Sequence, residues 1–180
     1  MEPWTPAPRL APDVYHELAT RILDAGKLDG RPWTREVGEY LERRGLLELA
    51  RADGWAALPA SRSLIALADS VLRDRPANTA KHTVPPLDTK TLLIQAKLAR
   101  WTGRGEFVAS WPSHRLVIPW RGPDGRICAL QRRRVTDSDG PKYVLPWAPE
   151  WPYGSERVRR GTVSLEGNRA AAIVEGAVDT

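Results

Sequence analysis

Apolar residues recur at helical spacing through the first hundred positions and turn to strand-like runs only after about Gly105. Val14, Tyr15, Leu18, Ala19 and Ile22 fall on one face of a helix predicted over 13–25, with Asp13 as its N-cap. Gly26 and Gly30 break that pattern. A second helix is expected from Thr34 to about Arg44, with Val37, Tyr40 and Leu41 on one stripe and Gly45 as its stop. Ser61 can cap a third, burying Leu64, Ile65, Ala68, Val71 and Leu72, and Asp88 a fourth, carrying Leu92, Leu93 and Ala96. Residues 74–87 hold Pro76, Pro85 and Pro86 and read as a loop.

Downstream, Arg115–Trp120 and Arg126–Leu130 are short β-type runs. Between them Arg121-Gly122-Pro123-Asp124-Gly125 is a hairpin turn, since proline presets one dihedral and Gly125 can take a positive φ. A third strand is expected near Lys142–Leu145, and residues 146–156, rich in Pro and Trp, read as an irregular loop. Ala170–Glu175 reads as a buried parallel strand delivering a carboxylate at its C-terminal end, where open α/β sheets place ligands. The fold class is α+β: a flexible arm (1–12), a helical N-terminal region (13–105), a basic β-rich subdomain (106–168) and the first strand of a further α/β unit (169–180).

Composition narrows the function classes. With 180 residues and 42% hydrophobic content, the chain can bury a core in one good-sized domain or two small ones. No apolar run approaches the roughly 18–20 residues that cross a bilayer, and MEPWTPAPRL lacks the layout of a signal peptide. A cytoplasmic protein without a membrane partner is the expectation. Cys128 is the only cysteine, which excludes an intrachain disulfide and a multi-cysteine zinc ribbon. His16, His82 and His114 are far apart in sequence and read as surface residues rather than a metal site.

The net charge of +5 is unevenly placed. Lys97 to Arg160 holds 13 basic and 6 acidic residues, whereas the rest of the chain is slightly acidic. A clustered basic surface attracts phosphate by counterion release; a solvated arginine-rich surface from a GC-rich genome is the alternative. Within this segment Arg134 and Lys142 lie eight apart across a turn. If the flanking strands pair, both cations project from one face and suit phosphate oxygens of a template strand or nucleotide. Strand alternation puts Arg132 on the face of Arg134 and Arg133 on the other. Of the eight tryptophans, Trp120 sits in an apolar strand pattern and reads as packing, while Trp147 and Trp151, in a loop, are the candidates for stacking on bases.

Three segments in order, RLVIPWRGPDGRICALQRRR (115–134), DGPKYV (139–144) and IVEGAVD (173–179), together resemble the core of DnaG-type bacterial primases. EYLERRGL (39–46) also looks like that family's helix after its zinc module, so the resemblance covers about residues 36–180. It implies template-directed RNA primer synthesis on single-stranded DNA, with single-stranded template and nucleotides as partners. Arg134, Lys142 and Tyr143 match residues lining the family's active-site groove, and Arg115, Arg126, Arg132 and Trp147 join them as expected nucleic-acid contacts. Glu175 matches the family's catalytic glutamate at the end of the first toprim strand, and Asp179 a following acidic position. Both are the expected ligands of Mg²⁺ in two-metal phosphoryl transfer.

The departures shape the expectation. Arg132 and Arg133 stand where the family has small residues, and Val144-Leu145-Pro146 replaces polar ones. The zinc-ribbon cysteines and the toprim D-x-D pair are not in this sequence. The reading is therefore a truncated or split primase-like chain, inactive alone, with a replicative helicase or a chain supplying the rest of toprim as partner and a mobile-element origin. The alternative is a non-catalytic module that binds single-stranded nucleic acid.

Overall fold

The computed structural model describes residues 10–74, 87–136, 139–147 and 153. A four-stranded antiparallel sheet in the order β1 (Ala56–Ala57), β4 (Leu116–Arg121), β5 (Ile127–Arg133), β6 (Tyr143–Val144) carries helices on both faces. A separate hairpin pairs β2 (Ala99–Trp101) with β3 (Phe107–Ala109). This is a mixed helix-plus-antiparallel-sheet architecture, as the apolar pattern predicts.

Strand alternation assigns the two faces. Ala56, Val117, Ile127 and Leu130 join a core built with α1 (Pro12–Ala25), α4 (Ser61–Arg73) and α5 (Thr89–Gln95). Ala57, Leu116 and Ile118 meet Val37, Tyr40 and Leu41 of α2 (Arg35–Glu42) and Ala50 of α3 (Leu47–Ala52). The first core draws on residues from both sides of position 105. The strand β1 is only two residues long, yet it closes the sheet edge: Ala57 N donates to the Gly26 carbonyl at 2.8 Å. A Cβ on Gly26 would lie 2.2 Å from Ala57 O, so only glycine allows the end of α1 to approach the sheet.

Helix starts differ in detail from expectation. Pro12, not Asp13, opens α1, because proline's fixed φ suits the first helical position, and Ala11 is the N-cap. Likewise Ala60 precedes α4, and Ser61 is its first helical residue. The second helix is preceded by a 3-10 turn at Pro32–Thr34, and Ile65 is 37% exposed rather than buried. Asp88 caps α5 as predicted, its Oδ1 accepting from Thr91 N at 2.7 Å. The Gly122–Gly125 turn also forms as read, with Gly125 at φ 81°. Next to it β5 bulges at Cys128, since Trp120 pairs with Ala129 and Arg121 with Ile127. Residues 75–86 of the loop expected over 74–87, and the strand expected over 170–175, lie outside the described residues.

Candidate nucleic-acid interface

One end of the sheet, where β4 begins, β5 ends and β6 begins, gathers the predicted pair. Arg134 N donates to Lys142 O at 3.1 Å, extending the β5–β6 ladder by one bond. The Arg134 guanidinium donates from Nη1 to Gly140 O at 2.9 Å. Lys142 is exposed, with Nζ 5.7 Å from the Tyr143 ring centroid. The backbones of the two basic residues thus lie side by side across one turn.

The other two arginines of the triplet do not face solvent. Arg132 is 4% exposed and Arg133 1%. Arg132 points to the α1 side, donating from Nη1 to Ser110 O at 2.7 Å and from Nη2 to Lys97 O at 3.2 Å. Burial pulls its pKa down to about 10. Carbonyl acceptors satisfy its donors without a carboxylate, so its charge is enclosed rather than presented to phosphate. This corrects its expected role as a nucleic-acid contact. Arg133 points to the opposite face, between two tyrosine rings, with Cζ 5.6 Å from the centroid of Tyr40 and 4.5 Å from that of Tyr143. Its Nε donates to Tyr40 Oη. Tyr143 is therefore half-buried against Arg133 rather than standing free in a groove.

The remaining candidates scatter. Arg115 is bound to the α2 side, Nη2 donating to Trp33 O at 3.1 Å and Nη1 lying 3.6 Å from Glu36 Oε2. Arg126 sits exposed at the β4–β5 turn, 3.8 Å from Asp124, at the far end of the ribbon from Arg134. Trp147 is not a free stacking platform: its ring meets Tyr15 edge-on at 4.9 Å and packs on the α1 core. Trp151, Glu175 and Asp179 lie outside the described residues. Among the described residues no three His, Cys, Asp or Glu side chains gather as a metal site.

Sequence reasoning missed His114, which is 2% exposed and not a surface residue. Its Nε2 lies 2.8 Å from Pro141 O, and because a carbonyl only accepts, that nitrogen carries the proton. Nδ1 then accepts from Ser113 Oγ at 3.2 Å. Burial, with Arg132 and Arg134 nearby, lowers its pKa against the opposing pull of the Pro141 carbonyl. His16 is likewise structural, its Nδ1 accepting from Ile127 N at 3.1 Å.

No protein-family model matches this sequence, and no curated protein sequence matches it. Solved structures do resemble the fold. The RNA polymerase domain of Mycobacterium tuberculosis primase DnaG superposes with a TM-score of 0.58 and 18% identity, over 84% of this chain and 47% of that one. The E. coli primase catalytic core gives 0.55 and 21%, over 85% and 45%. A DnaG primase catalytic domain bound to single-stranded DNA gives 0.53 and 19%, over 77% and 40%. The fold is therefore that of a DnaG-type primase catalytic domain, in part: the chain spans less than half the length of these structures.

Proposed function

We propose that this chain is a primase-like protein whose β4–β5–β6 sheet end holds single-stranded DNA template during RNA primer synthesis. The observation that carries this reading is the convergence of Arg134 and Lys142, joined through the Lys142 carbonyl, at one end of the sheet. Two cations on neighbouring backbone positions suit two phosphate oxygens of a flexible strand. The shared fold supports the reading. Nucleotidyl transfer in this proposal draws on Glu175 and Asp179, which would hold Mg²⁺.

The test is salt-dependent binding of fluorescent single-stranded DNA. Wild type is expected to lose affinity as salt rises. Arg134→Ala and Lys142→Ala should each weaken binding and make the log–log slope shallower by about 0.7, the value for one single-strand phosphate contact. Unchanged affinity and slope in both variants would remove the interface. Primer synthesis with Mg²⁺ would support the catalytic half of the reading, and binding without synthesis would leave a binding module.

A further inference from the structure

Between α5 and β4 the β2–β3 hairpin projects with an unusual surface. Trp101 and Phe107 pair across it, rings edge-on at 5.3 Å, and Trp101 is 49% exposed. Lys90 of α5 places Nζ 5.2 Å from the Trp101 centroid and 5.9 Å from that of Phe107. Lys97, Arg100 and Arg104 are also exposed. Among the described residues none of these four cations forms an ion pair with a carboxylate. Asp88, the acid beside Lys90, is engaged in capping Thr91, and Glu106 is the one acid on the hairpin itself.

The base of the hairpin is clamped. Ser110 N donates to Leu98 O at 2.9 Å, and Arg132 binds the carbonyls of both Lys97 and Ser110. Lys97, at φ 60°, and Trp111, at φ 52°, flank this clamp in the left-handed region that L-residues avoid. A tryptophan held there would be expected to gain burial in return, yet Trp111 is 49% exposed. Its ring meets His114 edge-on at 5.6 Å, and His114 binds the carbonyl of Pro141, next to Lys142. The hairpin base and the Arg134–Lys142 pair are therefore joined through one buried histidine.

We infer that the β2–β3 hairpin and Trp111 extend the nucleic-acid surface, so that a single strand engaged at Arg134 and Lys142 continues over Trp111 and onto Trp101, Arg100 and Arg104. This rests on the template-binding reading above. Half-exposed indoles offer stacking for any base, and exposed cations take the phosphates between, which is how proteins hold single strands without reading sequence. Arg132 is the positioning residue that keeps the hairpin on this course.

The experiment compares oligothymidylates of about 5 and about 20 nucleotides, a range spanning one to several single-strand sites. Trp101→Ala and the double variant Arg100→Glu/Arg104→Glu should weaken the long oligonucleotide at least about 10-fold, as loss of one stacked base does, and leave the short one within about twofold. Arg134→Ala and Lys142→Ala should weaken both lengths. Hairpin variants that bind the long strand like wild type, while Lys142→Ala does not, would overturn the extension and keep the template reading. Hairpin variants that lose binding while Arg134→Ala and Lys142→Ala do not would overturn the continuity. Loss in none of the four would overturn both. The charge-reversal variant guards against misfolding from removal of the indole, since both arginines are solvent-exposed.

Discussion

His114 donates from Nε2 to the carbonyl oxygen of Pro141 at 2.8 Å, and so ties the residue before Lys142 to the start of β4. Nε2 can donate in either form of the ring, but the bond that Nδ1 accepts from Ser113 Oγ needs the neutral one, and burial keeps the ring neutral by lowering the pKa. In the unfolded chain the histidine titrates near its ordinary value of about 6.5, so on acidification the unfolded state takes the proton first. The stabilisation is fully present above that pH and is lost as pH falls below it toward the folded pKa. His16, also lowered by burial, acts in the same direction. The urea midpoint is expected to drop between about pH 7 and pH 5, with His114→Gln flattening part of that slope. The depressed carboxylates Asp29 and Asp88 contribute only at lower pH, around their own range. An identical slope in His114→Gln would show that His114 is not a source of it.

Tyr40→Phe isolates one support of Arg133. It keeps the ring beneath the guanidinium and removes the oxygen that accepts from Nε. A buried charged donor deprived of an acceptor costs about 1–3 kcal/mol. Equilibrium urea unfolding should register that loss, and binding of single-stranded DNA should weaken as Tyr143 and Lys142 lose their backing. A change below about 0.5 kcal/mol would mean that the hydroxyl contributes little.

Two glycine substitutions should go in opposite directions. Gly26→Ala puts a methyl 2.2 Å from a backbone oxygen and 3.0 Å from the Ala56 Cβ, so α1 and β1 must separate. A loss of about 3 kcal/mol or more is expected from such overpacking. Gly38→Ala lies in α2 with nothing within 4 Å of the added carbon, and should gain roughly 0.5–1 kcal/mol from helix propensity. Thermal melts of the two proteins decide it; a Gly26→Ala protein as stable as wild type would contradict the close approach.

Tyr15 supplies a side-chain acceptor to the sheet. Its hydroxyl, fully buried, accepts from Leu130 N at 2.9 Å, just past the Cys128 bulge. Burial raises the hydroxyl's pKa well above its ordinary value, so it remains a neutral phenol throughout the working range. Tyr15→Phe leaves the Trp147 contact but strands the amide, and should cost about 1–3 kcal/mol. Hydrogen exchange at Leu130 should accelerate with it; unchanged protection there would place the stabilising bond elsewhere.

The helices that carry long apolar stripes, α1, α4 and α5, could be read directly because several residues repeat the same face. The 3-residue strands β2 and β3 and the two-residue β1 are too short for alternation to show, and the six-residue α3, in which only Ala50 is buried, has no clear stripe. At the site, the pairing of Arg134 with Lys142 followed from a turn of short range. The fates of Arg132, Arg133 and Trp147 did not, because each is decided by partners far along the chain: Ser110, Tyr40 and Tyr15. Arginine burial in particular has no sequence signature, since the carbonyls and rings that permit it belong to other elements.

The arginine triplet also bears on how β5 finds its place. A strand that slides by one residue turns every side chain to the opposite face. Where three identical residues follow one another, such a slide would offer Arg133 to the carbonyls that hold Arg132, and Arg134 to the tyrosines that hold Arg133. The triplet therefore cannot itself distinguish the correct alignment from its neighbour. That discrimination falls to the residues before it: Leu130 must meet Tyr15, Gln131 must reach the Trp120 indole at 3.3 Å, and Cys128 must be the extra residue in the bulge. The accuracy with which Arg134 reaches Lys142 is set at the opposite end of the ribbon.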